Sequence, residues 1–346
     1  MKPIAYHPGT DVDSGLLGAV VAHNVRNPGE RGFLFKKGSV LDATGLERLS
    51  RAAREVHLLV PEPDEIHEDE AGLRLARAVL GPGVRIKGLI GAQYQLVAET
   101  RGLLRVDPSA INAVNSIEGL TAFTRFDRQP VEAGEMVAAA KCTPLLIAER
   151  SVSQAEARLA DAPALRVLPY LPMRVGVLLL ERVEPEAREH FAEVMRLKLG
   201  YFGSQLGELV EARQIEPEIV AALRRLIAGG HDVIMLAGAS SLDPLEPLFP
   251  SLRTVGATIE KHGAPAHPGS LFWMAYSGEI PLFGLSSCEM FSHKTILDVV
   301  LTRVFAGEPL RRQQIVELGY GGLLEVGMDW RFPDYKELKT AHASAH

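Results

Sequence analysis

The sequence predicts an α/β protein, in which a C-terminal three-layer domain with a mixed or parallel sheet follows a smaller β-rich α+β domain. Three observations lead to this prediction. Between residues 173 and 310, strand-like apolar runs alternate with amphipathic helical stretches, which is typical of a sheet covered on both faces. Before residue 150 the apolar runs are short and bounded by glycine. The chain has 346 residues, enough for two domains of about 150 residues each.

The N-terminal domain, residues 1–150, is predicted to contain short strands and two helices. Asp42 or Thr44 can cap a helix that continues to Val56, and residues 68–80 repeat apolar side chains at helical spacing. Residues 151–172 become alanine-rich and then proline-rich, which predicts a linker. The predicted strands are 88–97, 103–106 and 136–140.

The C-terminal domain is predicted over residues 173–310, with an appendage at 311–346. Its predicted strands are 174–180, 233–236, 271–275 and 280–283, and its predicted helices are 185–199, 217–228 and 290–305. His231 leads into a strand and is expected to be exposed.

Composition excludes several classes of protein. The net charge is −6 and aromatic residues make up 6%, so the chain lacks the basic stripe and the stacking surface of a nucleic-acid-binding protein. The longest apolar runs have about six residues, whereas a membrane span needs about twenty. The two cysteines, Cys142 and Cys288, lie far apart and fit a reducing compartment, which predicts a cytoplasmic protein.

Three loops carry side chains that suit an anionic ligand. In an open α/β sheet, ligands bind beyond the carboxyl ends of the strands, where helix N-termini offer unpaired N–H groups. Small and hydroxyl residues at 238–243 and 284–288 fit such a site, as does the histidine-containing segment 262–270; ordinary turns and N-caps are the plainer interpretation. The candidate binding residues are Gly238, Ala239, Ser240, Ser241, His262, Gly263, His267, Pro268, Gly269, Ser270, Gly284, Ser286, Ser287, Cys288 and Lys294.

In their order along the chain, the three loops and the strands before them resemble segments of the molybdopterin-binding domain shared by molybdopterin adenylyltransferase and molybdopterin molybdenumtransferase. The resemblance extends from Arg174 to Leu310 and is carried by three segments, 232–240 (DVIMLAGAS), 262–269 (HGAPAHPG) and 281–288 (PLFGLSSC). Two N-terminal segments, 35–41 and 131–138, resemble the region that precedes this domain in the same relatives. The chain is therefore similar to divergent relatives found with molybdenum hydroxylases.

The resemblance implies a pterin-phosphate ligand, molybdopterin or its adenylylated form, handled in molybdenum cofactor biosynthesis. It implies two activities, nucleotidyl transfer to molybdopterin or molybdenum insertion, with Mg²⁺ near Asp243 and Glu246 as the catalytic carboxylates. It also implies a homo-oligomer and a recipient molybdenum enzyme as partners. The family's second glycine is Ala239 here, and its two lysines are His267 and Ser270. These departures motivate an alternative function, a carrier or maturation partner that holds the cofactor unchanged.

Overall fold

The computed structural model describes residues 1–180, 183–239, 246–285, 294–325 and 327–335. Its contacts divide the chain into two compact units. The first unit comprises Met1–Thr100, Leu104–Asp127 and Ala133–Val167, and the second comprises Arg101–Leu103, Arg128–Glu132 and Leu168–His346. Two short segments of the N-terminal half therefore belong to the second unit.

The first unit is built from small antiparallel sheets and helices. The strands of residues 1–172 are β1 (Lys2–Tyr6), β2 (Val20–Val21), β3 (Val25–Arg26), β4 (Phe33–Phe35), β5 (Val56–Val60), β6 (Glu65–His67), β7 (Val84–Leu89), β8 (Tyr94–Ala98), β9 (Gly102–Val106), β10 (Leu120–Thr124), β11 (Pro130–Val131), β12 (Met136–Cys142), β13 (Leu146–Ala148) and β14 (Leu165–Pro169). Of these, β11 belongs to the second unit, and β9 and β14 are divided between the two units. In the first unit, β1, β5 and β2 form one sheet, β10, β12, β8 and β7 form another, and β3–β4 and β13–β6 are two-stranded. The helices are α1 (Ala43–Leu49), α2 (Glu68–Val79), α3 (Pro108–Asn115) and α4 (Glu149–Leu159).

The predicted β-rich N-terminal part is confirmed, and the first helix is shorter than predicted. Asp42 is the N-cap of α1, with its Oδ1 accepting a hydrogen bond from the backbone N–H of Gly45 at 2.6 Å. The helix ends at Leu49, and the chain then forms a turn in which Ala52 N donates a hydrogen bond to Leu49 O at 3.0 Å. The stretch predicted as a linker, 151–172, contains most of α4 and all of β14.

A mixed sheet forms the centre of the second unit, as predicted, and it has six strands rather than the four predicted. The elements are β15 (Arg174–Leu179), α5 (Pro185–Tyr201), β16 (Gln205–Glu211), α6 (Glu216–Ala228), β17 (Val233–Ala237), α7 (Leu248–Thr254), β18 (Thr258–His262), β19 (Trp273–Ser277), β20 (Ile280–Leu285), α8 (Ile296–Phe305) and α9 (Arg312–Val316). The strand order is β16–β15–β17–β20–β19–β18. The first four of these strands are parallel, β19 is antiparallel to β20, and β18 is antiparallel to β19.

Helices cover both faces of this sheet, which confirms the three-layer prediction. Successive residues of β15 alternate between the two faces, so that Val177 packs with α5 and α8 while Leu178 packs with α6 and α7. Buried strand residues on both sides explain the continuous apolar runs of the sequence. No helix in the described part of the chain is long and apolar enough to cross a membrane.

Three features of the second unit differ from the sequence prediction. β16 and β18 were not predicted because they are the edge strands and carry half-exposed polar residues. His231 is 2% exposed rather than exposed, and its Nδ1 donates to Leu226 O at 2.9 Å. Glycines make room for this ring, since a Cβ at Gly207 would lie 2.7 Å from His231 Nε2.

Candidate functional site

The three predicted loops begin at one edge of the second unit's sheet. Residues that are paired across neighbouring strands form a row at this edge, and we call it the edge row. Since β18 runs in the same direction as β20, its end at His262 lies at the same edge as the ends of β17 and β20. The edge row consists of Leu178, Leu236, Gly284, Trp273 and His262.

The first loop begins with a left-handed glycine and a buried alanine. Gly238 has φ +72°, a conformation that favours glycine, and Ala239 is 2% exposed. Ala239 N donates to Leu285 O at 3.1 Å. The Ala239 methyl lies in the apolar cluster that includes Leu180 and Leu236. The alanine that replaces the family's glycine is therefore buried in the apolar core.

The remaining residues of the first loop are only partly described. Ser240, Ser241 and Asp243 lie outside the described residues. Glu246 is half-buried and precedes α7.

Trp273 connects Ala239 of the first loop (238–243) to Gly284, the first residue of the predicted third loop (284–288), a role that the sequence did not predict. Its indole Nε1 donates to Ala239 O at 2.7 Å, and its ring passes beside Gly284. A Cβ on Gly284 would lie 2.0 Å from Nε1, so this position must be glycine. Gly284 and Leu285 belong to β20 rather than to the predicted loop. A buried tryptophan requires a partner for its N–H, and this requirement is the signal that could have pointed to Trp273.

The second loop, residues 262–270, follows the end of β18. His262 is exposed, and its ring centroid lies 4.8 Å from that of Phe249. Ala264 N donates to Ser270 O at 3.1 Å and closes the loop on itself, with Gly263 at φ +78°. The Ser270 side chain is exposed.

The second loop also contacts the start of α8 and the C-terminal appendage. Pro268 O accepts a hydrogen bond from Ile296 N at 3.3 Å. His267 N donates to Gly322 O, and His267 O accepts from Leu324 N, both at 2.8 Å, while its side chain is exposed. The carbonyl oxygen of Gly269, the next residue after Pro268, accepts a hydrogen bond from Phe272 N at 3.1 Å.

Residues 290–293 of the helix predicted over 290–305 lie outside the described part of the chain, and the described helix does not include Lys294. The structure describes a helix from Ile296, with Thr295 as its N-cap and Asp298 completing a capping box. Lys294 therefore precedes the helix instead of lying within it, and its ammonium forms an ion pair with Asp329 of the appendage. Ser286, Ser287 and Cys288 lie outside the described residues.

Under the start of α8 lies a buried charged network. Lys198 Nζ donates to Asp298 Oδ1 at 2.8 Å, and the two side chains are 1% and 0% exposed. The Tyr335 hydroxyl donates to the same oxygen at 3.0 Å, while Thr295 N donates to Oδ2 at 2.9 Å. Burial, followed by the nearby Asp298 carboxylate, raises the pKa of Tyr335 well above its usual value. The network fixes the first turn of α8.

A cleft of about 500 Å³ opens at the same edge, at the ends of β15 and β16. Arg213 Nε donates to Glu218 Oε1 at 2.7 Å across it, and this hydrogen bond lowers the pKa of Glu218. Nowhere among the described residues do three or more His, Cys, Asp or Glu side chains form a group that could hold a metal ion. The edge therefore offers imidazole, hydroxyl and backbone groups, with an open cleft beside them.

Known proteins provide a partial structural likeness. No protein-family model matches the chain, and no curated protein matches it. Among solved structures, the chain is similar to a molybdopterin biosynthesis MoeA protein from Pyrococcus horikosii, at 11% identity, 70% of this chain, 79% of that chain and a TM-score of 0.31. It is also similar to a molybdopterin biosynthesis Mog protein from Mycobacterium ulcerans, at 14% identity and a TM-score of 0.30; this match covers 39% of this chain and 95% of that chain.

A third structure, the molybdopterin biosynthesis enzyme MoaB from Thermus thermophilus, matches at 18% identity and a TM-score of 0.28; this match covers 40% of this chain and 98% of that chain. Likeness at these TM-scores carries no argument about activity, so the fold described above rests on the chain's own strand order.

Proposed function

We propose that this chain is a molybdopterin-binding protein of molybdenum cofactor biosynthesis, with the pterin's phosphate held beyond the edge row. One observation carries the proposal. The segments that resemble the molybdopterin-binding domain leave the sheet at a single edge, because His262, Gly284 and Leu236 are linked by strand pairing. Beyond this edge, the exposed side chains of His262, His267 and Ser270 offer hydrogen-bond donors to a phosphate.

The fit of a pterin phosphate to the described residues rests on imidazole, hydroxyl and backbone donors more than on lysine or arginine charge. Lys294 already pairs with Asp329, and the two family lysines are His267 and Ser270. This balance of groups supports the carrier function as a second candidate, alongside nucleotidyl transfer or molybdenum insertion. In the catalytic alternative, Asp243 and Glu246 would hold Mg²⁺, whose charge neutralises the transferring phosphoryl group.

A charge-insertion series tests where the ligand binds. Ser270→Glu and Ser287→Glu each place a like charge beside the phosphate and are expected to abolish binding of molybdopterin in isothermal titration calorimetry. Ser277→Glu is the matched control, since Ser277 pairs with Ile280 at the opposite edge of the sheet. Wild-type protein that binds no molybdopterin, or three variants that bind equally well, would contradict the proposal.

Turnover distinguishes the enzyme from the carrier. Purified protein is incubated with molybdopterin, Mg²⁺ and ATP or CTP, and released pyrophosphate is measured. Release of pyrophosphate by the wild-type protein, and its loss in the Asp243→Asn and Glu246→Gln variants, supports nucleotidyl transfer. Molybdopterin that binds and is recovered unchanged supports a carrier that delivers it to a recipient molybdenum enzyme. Light scattering of the same preparation reports whether the chain forms the proposed homo-oligomer.

A further inference from the structure

A second cleft, of about 610 Å³, lies in the first unit and has no part in the proposed function. Its volume is within the range of small-molecule binding sites, roughly 300–1,000 Å³. One wall is the segment around β3 and the other is the connection from α1 to β5. The lining residues are His23, Asn24, Val25, Arg26, Asn27, Pro28, Ala53, Arg54 and Glu55.

Two arginines from different parts of the chain, Arg26 and Arg54, line this cleft. Arg26 ends β3, and Arg54 precedes β5. Both are exposed, and neither forms an ion pair with any residue that the structure describes. Arg74 in the same unit is different, because it binds Glu149 and Glu156 at 2.9 and 2.7 Å. Unpaired guanidinium groups present only donors, in the planar arrangement that suits phosphate oxygens.

The amide of Asn24 adds a donor with a defined orientation. Its Oδ1 accepts a hydrogen bond from Lys37 N at 2.8 Å, which leaves the Nδ2 group for the cleft. His23 is held beside it as a wall, with its Nε2 accepting from His57 N at 3.3 Å. The amide of Asn27 is occupied, because it donates to Glu30 at 2.6 Å.

Glu55 is the one carboxylate in the lining, and both of its oxygens are engaged by histidines. Oε1 lies 2.7 Å from His57 Nε2, and Oε2 lies 3.2 Å from His7 Nδ1. Among the described residues, Glu55 forms no ion pair with Arg26 or Arg54. The cleft therefore has two positive charges against one negative charge, and its unsatisfied groups are donors.

We propose that this cleft binds a small molecule carrying a phosphate or diphosphate group. The anion accepts hydrogen bonds from Arg26, Arg54 and Asn24, while Val25 and Pro28 contact the body of the ligand. The site stands whether or not the second unit binds a pterin, because none of its residues belongs to that unit.

Equilibrium titration of the full-length protein tests this site, with inorganic phosphate, pyrophosphate and cytidine monophosphate as separate probes. Arg26→Gln and Arg54→Gln are each expected to weaken binding of the preferred probe about tenfold, the loss associated with one charge-assisted pair. Asn24→Asp keeps the acceptor for Lys37 N, replaces the donor by a carboxylate and is expected to abolish binding. Arg85→Gln is the charge-matched control, since Arg85 is an exposed arginine of β7 outside the lining.

A gain of affinity provides a test that misfolding cannot imitate. Glu55→Gln removes the negative charge from the lining with little change in shape, and it is expected to bind the same probe several-fold more tightly. Tighter binding of cytidine monophosphate than of pyrophosphate would identify the ligand as a nucleotide. Tighter binding of pyrophosphate would identify it as an oligophosphate without a nucleoside. Absence of binding at millimolar concentration, or equal affinity in Arg26→Gln, Arg54→Gln and Arg85→Gln, would overturn the proposal.

Discussion

At the scale of single residues, the edge row depends on one tryptophan and one glycine. Trp273 is fully buried and reaches Ala239 O through the space that Gly284 leaves open. Glycine is needed here for close approach rather than for backbone conformation, since Gly284 is not among the residues with positive φ. The start of the first loop and the end of β20 are thereby held together by one side chain.

Gly284→Ala is therefore expected to destabilise the protein by about 3 kcal/mol, because overpacking of a core costs 1–3 kcal/mol and the indole also loses its acceptor. Urea unfolding followed by circular dichroism measures the change. Gly200→Ala is the control, since a Cβ at this exposed position of α5 meets no atom within 4 Å. It is expected to be neutral or slightly stabilising, as alanine favours helix more than glycine. Equal stability of the two variants would contradict this account of Gly284.

At the scale of elements, helices α5 and α8 are joined by the buried pair Lys198 and Asp298. Asp298 serves two purposes, because one oxygen accepts from Lys198 and Tyr335 while the other accepts from the N-cap Thr295. A buried ion pair contributes little net stability, but removal of one partner leaves an uncompensated charge. A substitution at either Lys198 of α5 or Asp298 of α8 is consequently expected to disturb the first turn of α8.

Asp298→Asn is expected to reduce the free energy of unfolding by about 3–5 kcal/mol, since the Lys198 ammonium loses its buried carboxylate. Lys198→Met is expected to have a similar cost. The double variant should be more stable than the sum of the two losses predicts, and denaturation of all four proteins in a double-mutant cycle measures this coupling. Additive losses would mean that the two side chains do not act as a pair.

Also at this scale, periodicity predicted the buried elements better than the exposed ones. Strand β17 and helix α6 were predicted because their apolar residues follow the spacing of a covered strand and an amphipathic helix. The edge strands β16 (QLGELVE) and β18 (TIEKH) were missed, since their polar residues and the glycine of β16 interrupt the apolar alternation of a half-buried strand. The capping box at Thr295 was not predicted, because it is a matter of side-chain geometry rather than of hydrophobic spacing.

At the scale of the whole molecule, the two units bury separate apolar clusters, and Cys142 lies in the first. Cys142 is 2% exposed, and its thiol donates to Pro144 O at 3.3 Å. Burial, followed by the nearby Glu68 carboxylate, raises the pKa of this thiol to about 12. The folded protein therefore keeps Cys142 neutral at a pH where the unfolded chain, with a thiol pKa of about 8.5, is ionised.

This difference in pKa predicts a loss of stability at high pH. The stability that Cys142 contributes is complete below about pH 8.5 and is lost as the pH rises toward 12. Between pH 8 and pH 10, the wild-type protein is expected to lose about 1–2 kcal/mol more unfolding free energy than Cys142→Ala. Urea unfolding at the two pH values measures the difference. Parallel loss in both proteins would show that Cys142 is accessible as thiolate in the folded state.

The sequence by itself determined the three-layer α/β fold of the C-terminal half and the order of three loops beyond its strands. These features follow from local patterns, since apolar spacing and glycine position depend on near neighbours along the chain. Only the tertiary structure decided that the Ala239 methyl is buried, that Lys294 pairs with Asp329, and that Arg26 and Arg54 line one cleft. These arrangements bring together residues from different elements, and spacing within any one element carries no information about its distant neighbours.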